Sequence, residues 1–198
     1  MHSVIAILNY GVGNLRSVFN AIEKVGGRPK ITSDQDELRE ASAIVFPGVG
    51  AFRPAMEKIK SIGYVFPEVP KLGICLGMQL FATRSFENGV HSGLNYIPGD
   101  VVRFPLSVRK IPHMGWNELK IRKNIEILDG IEDGSMVYFV HSYYLRTEER
   151  FVVAETEYGI TFPSVVACKD CFGFQFHPEK SGKVGLEILK NFVQIVRR

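Results

Sequence analysis

The stretch Lys71-Leu72-Gly73-Ile74-Cys75-Leu76-Gly77-Met78-Gln79-Leu80-Phe81 changes character at its centre. Residues 71–75 read as a short buried strand and Leu76 onward as a helix, so the chain passes from one to the other with no room for a loop. Gly73-x-Cys75-x-Gly77 at such a junction is a sharp elbow that presents a nucleophile at the edge of an α/β sheet, with flanking glycines that let the backbone turn tightly. The positive end of the following helix favours a thiolate there. The pentapeptide is also compatible with a buried cysteine in a glycine-flanked strand, since cysteine is a common core residue.

Outward from the elbow, the N-terminal side alternates strand and helix. An apolar run Val4–Leu8 leads through Tyr10-Gly-Val-Gly-Asn14 into a helix that begins near Asn14, has Leu15, Val18, Phe19, Ile22 and Val25 on one face, and stops at Gly26-Gly27. A short strand at 29–32, a polar helix at 34–40 and a buried-type strand at 43–47 follow, the last ending in Pro47-Gly48-Val49-Gly50. Phe52, Ala55, Met56 and Ile59 form the next helical stripe. This order predicts an α/β fold with a mostly parallel sheet covered by helices on both faces. From about residue 90 to 161 the pattern becomes short β-like runs at 101–104, 136–140, 143–146 and 151–155, which predict a mixed or antiparallel elaboration. A last strand at 173–176 precedes a helix carrying Val184, Ile188, Leu189, Phe192 and Ile195. With no repeat or linker-like stretch, residues 1–198 are read as one domain.

Composition removes several function classes. With 45% hydrophobic residues the chain can fill a core, and a net charge of +3, with 24 basic residues against 21 acidic, is too slight and scattered for a nucleic-acid binder. No stretch approaches the roughly 20 apolar residues of a membrane helix. The first ten residues read as a strand rather than a secretory leader, so a soluble cytoplasmic protein is expected. Three cysteines, Cys75, Cys168 and Cys171, are an odd number that poorly suits a disulfide framework. Cys168-x-x-Cys171 fits a redox pair or half of a zinc site, yet no second Cys/His pair at zinc spacing exists, and a turn carrying two cysteines is the favoured reading. No metal and no cofactor are expected.

Two further segments carry chemistry. In Phe172-Gly-Phe-Gln-Phe-His-Pro-Glu179, an extended backbone places the three phenylalanines on one face and Gln175, His177 and Glu179 on the other. A histidine oriented by a carboxylate is what an acid/base group needs; alone, His-Pro-Glu is more often a strand-end turn. Pro47-Gly48-Val49-Gly50 offers backbone N–H groups free of side-chain obstruction. Together with the N–H of Leu76 these suit an oxyanion site, although a simple tight turn has the same sequence.

Taken together, Gly73-Ile-Cys-Leu-Gly-Met-Gln79 and Phe176-His-Pro-Glu179 resemble the two signatures of the class I (triad) glutamine amidotransferases. Asn9 to Asn14, Pro47 to Gly50, Pro112-His-Met-Gly-Trp-Asn117, Phe139-Val-His-Ser-Tyr143 and Lys180-Ser181 extend the resemblance through nearly the whole chain. They are most similar to the branch of the family that serves histidine biosynthesis. The resemblance implies a flavodoxin-like three-layer fold, a Cys75–His177–Glu179 triad, and hydrolysis of L-glutamine to glutamate and ammonia through a cysteinyl thioester. It also implies a heterodimer in which ammonia passes to a cyclase subunit built as a (β/α)₈ barrel, there to meet a phosphoribulosyl intermediate. Gly48, Val49, Leu76 and Gln79 and the His141-Ser142-Tyr143 stretch are implied to hold the substrate and its oxyanion. Tyr10, Asn14, Trp116 and Lys180 are implied to face the partner. Trp116 also suits a core position, and His141 a satisfied strand histidine. One departure is the connection 61–70, shorter than the helical segment that relatives place before the nucleophile strand.

The rival readings are another synthase's glutaminase, a cysteine peptidase of similar architecture, and a binding module without catalysis. Such peptidases commonly place His directly after Cys, whereas Leu76 follows Cys75 here. An intact triad opposes the binding module.

Overall fold

The computed structural model of the chain describes residues 3–11, 13–63, 66–108 and 110–198. Met1 and His2 of the first segment, Val12 of the glycine loop, and Tyr64 and Val65 of the 61–70 connection lie outside the described residues, as does Arg109. Its first half alternates β1 (Val4–Leu8), α1 (Leu15–Lys24), β2 (Arg28–Thr32), α2 (Gln35–Arg39), β3 (Ala43–Phe46), α3 (Phe52–Ser61), β4 (Lys71–Ile74) and α4 (Leu76–Leu80). The second half contains β5 (Arg84–Ser85), β6 (His91–Ser92), β7 (Gly99–Arg103), β8 (His113–Glu118), β9 (Lys120–Ile121), β10 (Met136–His141) and β11 (Tyr143–Thr147). It closes with β12 (Val152–Glu157), β13 (Thr161–Cys168), β14 (Cys171–Phe174) and α5 (Gly182–Val196).

Among the described residues the main sheet has the order β2-β1-β3-β4-β14-β13-β12-β9. Its first five strands run parallel and the rest antiparallel. Alternation along β1 shows the layering: Ile5 and Ile7 join the apolar cluster under α1 and α5, while Ala6 and Leu8 join the one under α2, α3 and α4. Three layers result, because each face of a buried parallel sheet needs its own helices. The predicted stripe Phe52, Ala55, Met56 and Ile59 is buried throughout. In the connection after α3, Phe66 sets its ring edge-on to Phe46 at 5.0 Å. A ribbon of β8 and β10, and a small sheet β11-β7-β5-β6, stand beside the main sheet.

One expected strand is corrected, and two observed strands were not expected. The strand expected at 173–176 is Cys171–Phe174: beyond Phe174 the neighbouring β4 has already turned at its elbow, and Gln175 and His177 donate instead to Ser164 and Tyr138 carbonyls. β13, an eight-residue strand inside the sheet, was not expected, since Pro163 argues against an interior strand. The register with β12 is irregular beside Pro163, which absorbs the missing N–H. β8 also escaped notice because its inward residues include His113 and Asn117 rather than an apolar series.

Cys168 and Cys171 pair in register across the two-residue turn between β13 and β14, and both are free thiols. No helix among the described residues is long and apolar enough to cross a membrane.

Candidate active site

Cys75 occupies the single residue between β4 and α4, with φ +51° and ψ −105°. The elbow is tight enough that a Cβ on Gly77 would lie 1.8 Å from the Phe46 carbonyl oxygen, and one on Gly73 would lie 2.6 Å from the Met78 nitrogen. Glycine is required at both by close approach of backbone to backbone. The Cys75 thiol is buried; its Sγ donates to the Val140 carbonyl at 3.8 Å and accepts from Gln175 Nε2 at 3.7 Å. Gln175 arrives there because β14 pairs with β4 in parallel, Phe174 opposite Ile74, so the residues one step beyond each strand are neighbours.

His177 follows on the same exit from the sheet. The extended alternation expected to bring Glu179 alongside it is not what forms the pair. Pro178 opens a 3₁₀ turn, Pro178–Lys180, that curls the carboxylate back so that Glu179 Oε1 lies 2.9 Å from His177 Nδ1. Proline starts such a turn readily, having no N–H to leave unpaired. With Nδ1–H donated to a carboxylate, Nε2 is the working nitrogen; it and Glu179 Oε2 are buried and have no hydrogen-bond partner among the described residues. Burial by itself pushes the His177 pKa down. The neighbouring Cys75 sulfur and the Glu179 carboxylate outweigh it, and carry the pKa up to about 9. Ser181 Oγ locks the turn, donating to the His177 carbonyl at 2.7 Å and accepting from Tyr138 N–H at 3.0 Å.

A cavity of about 340 Å³ opens over the sulfur, at the lower end of the range for small-molecule sites. Of the residues expected at the substrate, Val49, Leu76, Gln79, His141, Ser142 and Tyr143 line it. Gly48 lies behind Leu76 and presents its carbonyl oxygen, which accepts the Leu76 N–H at 3.4 Å. The amide expected to hold an oxyanion is therefore occupied in this state. His141 has both ring nitrogens engaged, by His113 Nδ1 at 3.0 Å and the Tyr143 carbonyl at 2.8 Å, so its ring offers a ligand no free polar atom. Gln79 Nε2 is bonded to the Tyr143 carbonyl at 3.0 Å and to Gln175 Oε1 at 3.2 Å.

The sequence reading passed over Glu87, a carboxylate at the cavity wall that also accepts the Phe52 N–H at 2.7 Å at the start of α3. No local pattern announces it, because tertiary packing alone brings residue 87 to the site. Gln175 was placed on the catalytic face without a role.

Of the residues expected at a partner surface, Trp116 is 53% exposed and Lys180 is exposed. Asn14 is exposed, with its side chain capping α1 through the Ser17 N–H. Tyr10 is the correction. It is only 1% exposed, because its ring fills the core above β1 and its hydroxyl donates to the Pro47 carbonyl, so it buttresses the Gly48-Val49 loop from within. Among the described residues, no cluster of three or more His, Cys, Asp or Glu side chains could hold a metal.

A model of the family described as glutamine amidotransferase class-I matches residues 6–196. A protein of Archaeoglobus fulgidus named imidazole glycerol phosphate synthase subunit HisH is 62% identical over 197 residues, covering 98% of this chain and all of that one. A protein of the same name from Geobacter metallireducens is 48% identical, covering 96% and 97% of the two chains. Among solved structures, a Thermoplasma acidophilum protein described as a putative GMP synthase subunit superposes with a TM-score of 0.77 at 20% identity, over all of this chain and 95% of that one. At that identity the likeness bears on the fold alone.

Proposed function

This chain belongs to the class I glutamine amidotransferases, and from that membership we infer that it is the glutaminase subunit of an imidazole glycerol phosphate synthase. The observation that carries the reading is the buried His177–Glu179 pair beside an elbow cysteine at the floor of a small cavity, in a chain so close to relatives of that name. In this reading Cys75 thiolate attacks the carboxamide of L-glutamine, and His177, an imidazolium at neutral pH with its pKa near 9, protonates the departing ammonia. Neutral His177 then draws a proton from the water that cleaves the thioester. Glu87, the carboxylate at the wall, complements the α-ammonium of an amino-acid substrate.

The oxyanion needs N–H donors, yet Leu76 N–H is bonded to the Gly48 carbonyl. Rotation of the Gly48–Val49 peptide would withdraw that carbonyl and turn the Val49 N–H inward. Only glycine fits at 48, where a Cβ would lie 2.8 Å from Leu76 Cβ and 3.0 Å from the Tyr10 hydroxyl. The free chain is thus proposed to idle, with rotation favoured when a cyclase subunit of (β/α)₈-barrel fold docks. That barrel would use the ammonia to form imidazole glycerol phosphate and aminoimidazole carboxamide ribotide. Asn14, Trp116 and Lys180 are proposed to meet it, and the heterodimer is proposed to work in the cytoplasm.

Glutamate release from glutamine is measured for the chain alone and with the barrel plus a substrate analogue, with Cys75→Ala as control. Activation that vanishes in the variant is expected. Equal turnover with and without the barrel removes the idling mechanism, and no turnover in any mixture removes the glutaminase assignment.

A further inference from the structure

A continuous polar path runs from the outer ribbon to the Cys75 sulfur, and the Tyr143 carbonyl, which can only accept, fixes the donor direction on either side of it. Asn117 Oδ1 accepts the Glu118 N–H at 2.8 Å, which leaves Asn117 Nδ2 to donate to the Glu157 carbonyl at 2.9 Å and toward His113 Nε2 at 3.2 Å. His113 Nδ1 lies 3.0 Å from His141 Nε2, and His141 Nδ1 lies 2.8 Å from the Tyr143 carbonyl oxygen. A carbonyl only accepts, so His141 carries its proton on Nδ1; its Nε2 then accepts, and His113 must donate through Nδ1 and accept through Nε2. Both rings are buried and stay neutral, His113 packed between Tyr158 at 4.0 Å and Phe139 at 4.7 Å.

The Tyr143 carbonyl accepts a second bond from Gln79 Nε2, which also donates to Gln175 Oε1. With its oxygen so occupied, Gln175 turns Nε2 to Cys75 Sγ at 3.7 Å. The reversed amide would set N–H against N–H and oxygen against sulfur. Gln175 is completely buried, so no water substitutes for either contact.

We propose that Gln175 is a further catalytic residue whose side-chain N–H holds the Cys75 sulfur as thiolate. Gln79 is the positioning residue that keeps that N–H aimed, and His141 supports it by holding the Tyr143 carbonyl. The proposal rests on Cys75 being the nucleophile, as inferred above. It also gives the buried histidine pair a place, since the His141 N–H helps to hold the Tyr143 carbonyl on which Gln79 rests. When the thiol loses its proton, its bond to the Val140 carbonyl is lost, and the Gln175 N–H is a donor already in place beside the charged His177 ring.

The test follows alkylation of Cys75 by iodoacetamide across pH in the full chain, with Cys168 and Cys171 resolved separately by peptide mass spectrometry, and glutamate release with the barrel. Gln175→Met is expected to slow Cys75 alkylation at neutral pH roughly tenfold and to move its midpoint to higher pH, as loss of a hydrogen bond to a charged group does. His141→Phe shifts the midpoint the same way by less, and His141→Asn, whose amide still donates to the Tyr143 carbonyl, restores it. Unchanged alkylation of Cys168 shows that the fold is retained. If Gln175→Met does not fold, Gln175→Asn, one methylene short of its partners, is read in the same way. Parental rate and midpoint in the Gln175 variant overturn the proposal. A parent chain that neither reacts at Cys75 with a glutamine analogue nor releases glutamate overturns the glutaminase reading instead, and the proposal falls with it.

Discussion

Cys75 pays for its reach. At φ +51° and ψ −105° it holds a backbone conformation that costs an L-residue about 1–3 kcal/mol, and neighbouring backbone at Gly73 and Gly77 leaves it no other. Glycine adopts such angles freely, so Cys75→Gly is expected to be more stable than Cys75→Ala by about 1 kcal/mol in denaturant unfolding, the reverse of their usual order within an element. An alanine variant as stable as the glycine one would remove the strain. The three buried histidines titrate in opposite senses. His177, raised to about 9, is protonated in the folded chain and contributes stability that is full below pH ~6.5 and lost as pH rises through about 9. His113 and His141, lowered to about 4 and about 3 mainly by burial, contribute stability present above pH ~6.5 and lost as pH falls through those values. In unfolding curves across pH, His177→Gln should flatten the alkaline fall, and His113→Phe the acid one. The elbow cysteine was legible because two glycines at fixed offsets record a steric demand. Glu87 was not, because nothing near residue 87 registers a wall it meets only after folding.

At the scale of elements, the site is a set of strand exits. β4 and β14 end side by side, and each chain turns by its own device, the strained elbow at Cys75 and the proline-led 3₁₀ turn at Pro178. The sequence revealed the alternation of the first half because α1 and α3 show apolar stripes at helical period and β3 is a continuous apolar run. It hid the antiparallel half where polar or proline residues occupy inward positions, as at His113, Asn117 and Pro163. Ser181 shows how such elements are tied: its hydroxyl joins β10, the His177 turn and the start of α5, and it is 1% exposed. Ser181→Ala leaves a half-buried Tyr138 N–H without its partner, a loss of about 1 kcal/mol. It also leaves the His177 carbonyl with the Lys180 N–H as its partner, loosening the turn that holds the ring. Unfolding by denaturant and glutaminase assay should therefore both register the change; a variant as stable and active as the parent would show that the turn holds without it.

At the scale of the whole molecule, the β8–β10 ribbon has two unlike faces. Its inner face carries His113 opposite His141 and the buried Phe139, on the side of Cys75; its outer face pairs Trp116 with Tyr138 and Met114 with Val140, while Met136 lies opposite Glu118. Met114 is 60% exposed and Trp116 53%, large apolar side chains clustered where a partner would cover them. Any group docking there presses on the strand whose Val140 carbonyl receives the Cys75 thiol. The affinity of docking and the state reached once docked are nonetheless expected to be separable by mutation. Trp116→Ala, losing an exposed aromatic anchor, should weaken barrel binding by about tenfold or more in titration calorimetry. At saturating barrel it should still reach parental glutaminase turnover, since Trp116 touches no reacting group. In the complex with a substrate analogue, the Leu76 amide resonance should move as the Gly48 carbonyl leaves it, in parent and variant alike. Parental affinity in Trp116→Ala would place the partner on another face, and an unmoved Leu76 amide in a fully active complex would mean that the oxyanion is held without rotation of the Gly48–Val49 peptide.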